Sequence, residues 1–113
     1  MHEIGIIQNT LDLAVKSARA SGATRIHQVR LRVGAMTGVV PDALQFAFEV
    51  VRQETMAANA QLQVETVPVT CWCPGCQKEF ASADLLYECP QCGRISAELR
   101  HGLELELAAL EVS

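Results

Sequence analysis

Two Cys-x-x-Cys pairs constrain the fold of this chain more than any other feature of its sequence. The first pair is Cys73 and Cys76 in the stretch CWCPGC, and the second is Cys89 and Cys92 in the stretch CPQCG. Two residues between cysteines allow both sulfurs of a pair to reach the same tetrahedral ion. The spacing therefore predicts a tetrathiolate zinc site, which has no open coordination position and is structural rather than catalytic.

Two alternatives apply to these cysteines. Cys71 is a fifth thiol and would be able to exchange with Cys73 as a ligand, although the Cys-x-x-Cys spacing favours Cys73. Otherwise Cys71 is expected to be a small, semi-buried residue beside Trp72. A thioredoxin-like dithiol needs a single Cys-x-x-Cys pair at the start of a helix, and a second pair at ribbon spacing has no part in it. We therefore prefer metal-bound thiolates to redox chemistry or a disulfide framework.

The rest of the chain alternates between helical and strand-like patterns. Half of the 113 residues are apolar, which is enough for a modest core. Apolar residues recur every three or four positions from Ile4 to Ala18, as on one face of a helix, and alternate with polar residues from Val29 to Val33, as in a strand. The predicted elements are a helix over 4–21, a strand over 28–33, a loop over 34–38, a helix that begins at Pro41, a strand over 61–69 and a strand over 103–112.

This order predicts an α+β fold in which a small mixed β-sheet packs with two helices. The last segment is too short to fold alone, so we expect it to return to the sheet formed by the earlier strands. The cysteine segment is then an inserted tetrathiolate zinc-ribbon module. The expected domains are 1–69 with 102–113 for the α+β unit, and 70–101 for the zinc-binding unit.

Composition and missing motifs argue against several classes of function. The net charge of −4 and the aromatic content of 4% give no electrostatic footprint for nucleic acid. No apolar run approaches the roughly 20 residues that span a bilayer, and no secretory signal pattern opens the chain. We therefore expect a cytoplasmic protein without a membrane partner. The sequence contains no nucleophile with a base at motif spacing, no phosphate-binding loop and no open metal site. We therefore do not expect an enzyme.

The first three residues form a second candidate metal site. The α-amine of Met1 and the backbone nitrogen and imidazole of His2 can chelate one ion, with a fourth donor from the Glu3 amide or a carboxylate. Such nitrogen-rich planar sets suit Ni(II) or Cu(II). Alternatively, the histidine falls at this position by chance and Glu3 only favours a helix N-terminus. His27 and His101 are expected to be solvated or locally hydrogen-bonded rather than ligands.

Several motifs together resemble the HypA/HybF family of hydrogenase maturation proteins, which are nickel metallochaperones. They are the MHE start, a Val-Gly loop after the first strand, the FAFE stretch of the second helix, the CxxC and CPxCG pairs, and the closing ELEL…LEV strand. The resemblance covers the whole chain. One departure is Val40, which stands where some family members carry an acidic residue, with Asp42 two positions further on.

The resemblance implies a function for both metal sites. Transient Ni(II) would bind through His2 with nearby backbone nitrogens, while structural Zn(II) would bind to the four paired cysteines. The nickel would be delivered to the large subunit of [NiFe]-hydrogenase together with a nickel-handling GTPase, and in some members to urease. The position of the last strand also allows a homodimer by strand exchange. The alternative function is a zinc-ribbon adaptor, or a nucleic-acid- or transcription-factor-binding module, with structural zinc only.

Overall fold

The computed structural model describes residues 3–82, 87–96 and 98–113, and Met1 and His2 lie outside this part of the chain. Two α-helices, a single-turn 3₁₀ helix and six strands make up the described fold. In chain order they are α1 (Glu3–Ala20), β1 (Ile26–Gly34), the 3₁₀ helix (Ala35–Thr37), α2 (Pro41–Val51), β2 (Gln61–Val67), β3 (Thr70–Cys73), β4 (Lys78–Ala81), β5 (Glu98–His101) and β6 (Leu105–Val112).

The first sheet is mixed, with the strand order β2-β1-β6. The central strand β1 runs parallel to β2 and antiparallel to β6, so that Val29 lies between Leu62 and Leu110. The last strand therefore returns to the sheet of the earlier strands, and the predicted α+β fold class is confirmed. Pro68 directly follows the end of β2, where a residue without an N–H disturbs no ladder.

Both helices contribute to the core that covers one face of this sheet. Burial of each large apolar side chain stabilises the fold by about 2 kcal/mol. Ile4 belongs to the predicted stripe but is exposed, because the first turn of α1 extends past the core. The residues that form the centre of the core are Ile7, Leu11, Ala14, Val29, Leu31, Leu44 and Phe48.

Local sequence signals explain where the helices begin and end. Gly22 has a φ of 81°, which suits glycine, and it follows the last turn of α1. Pro41 occupies the first turn of α2, where its missing N–H costs nothing, and Asp42 beside it complements the positive helix pole. Both helix boundaries fall within one or two residues of the prediction.

The inserted segment forms a second sheet that the sequence pattern did not predict. Its strand order is β4-β3-β5, and both pairings are antiparallel. Val69, Cys71 and Phe80 form a small apolar cluster beside it. These four-residue strands are too short to show clear alternation.

The structure differs from the predicted elements at two further places, both where the two sheets meet. The expected loop at 34–38 contains a 3₁₀ turn, and the last strand begins at Leu105 rather than at residue 103. Leu103 is 63% exposed. The carboxylate of Glu104 turns back to accept the N–H of Gly102 at 2.7 Å, so the pairing with β1 starts only after this turn.

Candidate metal centre

Four cysteines converge at the end of the second sheet. Cys73 ends β3, Cys76 lies in the turn that follows, and Cys89 and Cys92 lie in a second turn. Their Sγ atoms all lie within 4.8 Å of one another. Cys73 Sγ is 3.4 Å from Cys92 Sγ, and Cys76 Sγ is 3.9 Å from Cys89 Sγ. This set can hold one metal ion.

Two turns of the same geometry present these thiols. In the first, the N–H of Gln77 donates to the carbonyl of Cys73 at 2.8 Å, and in the second the N–H of Gly93 donates to Cys89 at 2.9 Å. Gln77 has a φ of 54° and Gly93 a φ of 75°, so both turns close with a left-handed residue. Glycine adopts that conformation freely, whereas at Gln77 the turn imposes strain.

The backbone and neighbouring thiols shift the pKa values of Cys89 and Cys76 in opposite directions. The N–H groups of Cys92 and Gln91 point at Cys89 and lower the pKa of its thiol to about 6. A hydrogen bond with the Cys92 thiol, and then burial, raise the pKa of Cys76 to about 12. The thiol of Cys89 therefore ionises more readily than the thiol of Cys76.

Cys71 is close in sequence but does not belong to the cluster. Its side chain is buried, more deeply than the sequence predicted, and packs with Val69 and Phe80. Burial raises the pKa of its thiol, which disfavours the thiolate form. Among the described residues, the four-thiol group contains Cys73 and excludes Cys71, as the Cys-x-x-Cys spacing favours.

The other candidate site lies largely outside the described residues, because these exclude Met1 and His2. Glu3 is described and begins α1, where it is half-buried in the first turn. Val40 and Asp42 are exposed at the start of α2. The proposed nickel ligands therefore remain a prediction.

Both other histidines bond locally, in agreement with the expectation. His27 Nε2 lies 2.7 Å from the Ser113 hydroxyl. His101 Nδ1 lies 3.1 Å from Glu104, and its Nε2 lies 3.9 Å from Glu79. His101 also lines a cavity of about 660 Å³ between the two sheets, which Arg32, Thr70 and Arg100 line as well. No sequence pattern pointed to this junction, because its residues come from separate strands.

The fold and the cluster define the class of this protein, a small two-sheet α+β protein with a four-cysteine metal-binding site. Within the described ranges, neither α-helix is long and apolar enough to cross a membrane. The model of the family described as "Hydrogenase/urease nickel incorporation, metallochaperone, hypA" matches residues 1–112. The chain belongs to this HypA family of nickel-incorporation metallochaperones.

Relatives and solved structures agree with this assignment. Proteins named hydrogenase maturation factor HypA are 48% identical in a Picosynechococcus species and 38% identical in Rhizobium leguminosarum bv. viciae, each match covering 99% of both chains. The solution structure of the Ni metallochaperone HypA from Helicobacter pylori has a TM-score of 0.72 at 25% identity, covering 99% of this chain and 97% of that one.

The family narrows the functions that the sequence left open. It is described by nickel incorporation and metallochaperone activity, in agreement with the expectation of a protein that is not an enzyme. Its relatives are named for hydrogenase maturation. A nucleic-acid-binding module finds no support in these comparisons.

Proposed function

We propose that this protein binds Ni(II) transiently at its N-terminus and delivers it to the large subunit of [NiFe]-hydrogenase, acting with a nickel-handling GTPase. The match to the nickel-incorporation family over residues 1–112 is the observation that carries the proposal. The sequence supports it with the chelating start Met1-His2-Glu3. The α-amine of Met1, the backbone nitrogen and imidazole of His2, and Glu3 supply the nickel ligands.

The chemistry of this donor set suits a metal that must be passed on. Nitrogen ligands in a planar arrangement select Ni(II) over Mg²⁺ and Ca²⁺. Two of the donors, the imidazole and the α-amine, have reference pKa values of about 6.5 and 7.7–8.0, so protons compete with nickel near neutral pH. Glu3 opens the first turn of α1, which ties one end of the site to a rigid helix. The ion can then be released to a partner one ligand at a time.

Zinc is the metal that we assign to the four cysteines. A tetrahedral ion with Zn–S bonds of about 2.3 Å separates its sulfurs by about 3.8 Å. The Cys73–Cys92 and Cys76–Cys89 separations of 3.4 and 3.9 Å lie close to that value. Four thiolates leave no open position, so zinc would cross-link the two turns and β3 without activating water. Such thiolates persist in a reducing compartment, and we propose that the protein acts in the cytoplasm.

The two metals then divide the chain into two domains. Residues 1–69 and 102–113 form the nickel-binding domain, and residues 70–101 form the zinc-binding domain. The order of strands supports this division, since the first sheet is built from β1, β2 and β6 and the second from β3, β4 and β5.

Complementation tests delivery. A bacterium that lacks its own chaperone of this family is supplied with the native chain, with His2→Ala, or with His27→Ala as a control for loss of an exposed histidine. At limiting nickel we expect hydrogenase activity with the native chain and His27→Ala but not with His2→Ala, and excess nickel should restore activity to all three. Equal activity of His2→Ala and the native chain at limiting nickel would contradict the proposal.

A further inference from the structure

The two edges of the first sheet differ in how they are covered. At the β2 edge, the side-chain amide of Gln45 on α2 donates to the carbonyl of Leu62 at 2.8 Å. At the β6 edge, no strand of the described residues pairs with the outer side. Gly34 N–H donates to the carbonyl of Glu104, so the antiparallel alternation points the backbone groups of Leu105 and Leu107 away from β1. Within the described part of the chain these groups have no hydrogen-bond partner, so they can pair with another strand.

An apolar groove of about 590 Å³ runs beside this edge, between α1 and β6. The leucines at 105 and 107 line its strand side, and Ile6 and Leu13 line its helix side. Leu13 is 59% exposed and Leu105 is 38% exposed. Apolar side chains grouped at an open strand edge are characteristic of protein interaction sites. A strand added to β6 would place every second side chain over this groove.

The opposite face of β6 specifies the charge of the added strand. Strand β6 contains two glutamates, Glu106 and Glu111, and no cation. Arg32 on β1 pairs with Glu106 at 3.2 Å but is shared with Glu65 at 3.6 Å, and Glu111 has no ion pair among the described residues. Basic side chains on a neighbouring strand would face these carboxylates directly.

The same charges disfavour a second copy of this chain at the edge. One register in which two β6 strands pair antiparallel, with their leucines on the helix side, sets Leu107 against Leu110 of the other copy. That register also sets Glu106 against Glu111. Like charges in directly opposed positions destabilise a strand pair. The two glutamates therefore disfavour self-pairing in this register, whereas they favour a basic partner strand.

We propose that the outer edge of β6 and the groove along α1 bind an extended segment of a partner protein, with alternating apolar and basic side chains, as a fourth strand of the sheet. This interaction goes beyond the proposed nickel chemistry, and residues 1–3 take no part in it. A binding experiment without nickel therefore tests the strand-binding site alone. Its failure would not contradict the proposed nickel site, and failure of the nickel site would not contradict strand binding.

Nuclear magnetic resonance of the full zinc-loaded chain tests this site. The probe is a decapeptide of alternating valine and lysine, and the control is a decapeptide of alternating valine and glutamate. We expect the lysine peptide to shift the amide signals of Leu105 and Leu107 and to slow their hydrogen exchange, because these amides gain acceptors. The glutamate peptide should leave both unchanged.

Two pairs of variants test whether the groove and the glutamates of β6 bind the peptide specifically. In each pair, the second variant makes the same kind of change outside the proposed site. Leu13→Ser should weaken binding of the lysine peptide by about tenfold, whereas Phe46→Ser, at a 68% exposed position on α2, should leave it unchanged. Glu111→Lys should weaken binding more than Glu49→Lys, which changes the net charge equally at a distant exposed site. Equal binding of both peptides, equal effects within either pair, or protection of Leu105 and Leu107 by a dimer without peptide would overturn the proposal.

Discussion

Glu104 shows how one side chain shapes the junction between the two sheets. Its side chain is only 20% exposed, and its carboxylate accepts hydrogen bonds from the N–H of Gly102 and from His101. The hydrogen bond from Gly102 is the main reason that the pKa of Glu104 is lowered, with the contacts to His101 adding to it. The ionised form therefore stabilises the turn that leads into β6.

Replacement of Glu104 by glutamine should destabilise the protein by about 1 kcal/mol at neutral pH. Because the folded pKa lies below the unfolded one, this contribution is complete above the unfolded pKa and is lost as the pH falls through the folded value. Urea unfolding at a series of pH values measures it. The gap between native and Glu104→Gln should shrink on acidification, whereas Glu111→Gln should match the native chain throughout. A gap that widened in acid would contradict this role.

At the residue scale, the sequence identified the metal cluster more completely than the junction. The thiols that converge in the cluster, Cys73, Cys76, Cys89 and Cys92, follow the spacing of two turns that can chelate one ion. Glu104 meets its partners through the path of the backbone, which no local pattern encodes.

At the scale of elements, the connection between the sheets depends on a close backbone crossing. A Cβ atom added to Gly34 would lie 2.1 Å from the carbonyl carbon of Gly102. Gly34 has a φ of −73° and a ψ of 144°, a conformation open to any residue. It is therefore the crossing, and not the local backbone, that requires glycine there.

Substitution of Gly34 by alanine should lower the free energy of unfolding by about 3 kcal/mol, because the chains at the crossing must separate. Gly5→Ala is the matched control. No atom lies within 4 Å of the added methyl group, and alanine favours the helix by about 1 kcal/mol, so this variant should be more stable than the native chain. Chemical denaturation of both variants measures the difference. Equal stability of Gly34→Ala and the native chain would show that the crossing tolerates a side chain.

Removal of metal by a chelator should unfold the second sheet and leave the first sheet folded. The apolar cluster beside β3 is small, whereas the first sheet has its own core of helix and strand residues. Trp72, the single tryptophan, lies on β3 under Arg100 and reports on this sheet by fluorescence. We expect its emission to shift to the red while most helical circular dichroism remains. A parallel loss of both signals would mean that the two sheets fold as one unit.

At this scale, the sequence predicted long elements better than short ones. The α1 helix and the return of β6 to the first sheet follow from periodic burial over many residues. The strands β3, β4 and β5 have four residues each, too few to show a period. They exist because of cross-strand pairing and the four thiols, which are tertiary effects. The start of β6 at Leu105 depends likewise on the turn at Gly102.

At the scale of the whole molecule, we propose that the cysteines maintain the shape of the protein and that the N-terminus carries the nickel ion. The fold brings the start of α1 to the same end of the first sheet as the junction, since Ile6 lines a groove with Leu105 and Leu107. Glu3, the one proposed nickel ligand that the structure describes, begins α1 at this end. A partner protein bound at the start of α1 would be able to contact both sheets at once.

Nickel titration calorimetry on three chains tests whether nickel binds at the N-terminus. These are the native chain, His2→Ala, and a chain with additional residues before Met1, all loaded with zinc. We expect one nickel site in the native chain and its loss in the other two, because the imidazole is removed in one and the free α-amine in the other. Equal nickel affinity in all three chains would contradict a terminal site and with it the proposed route of nickel delivery.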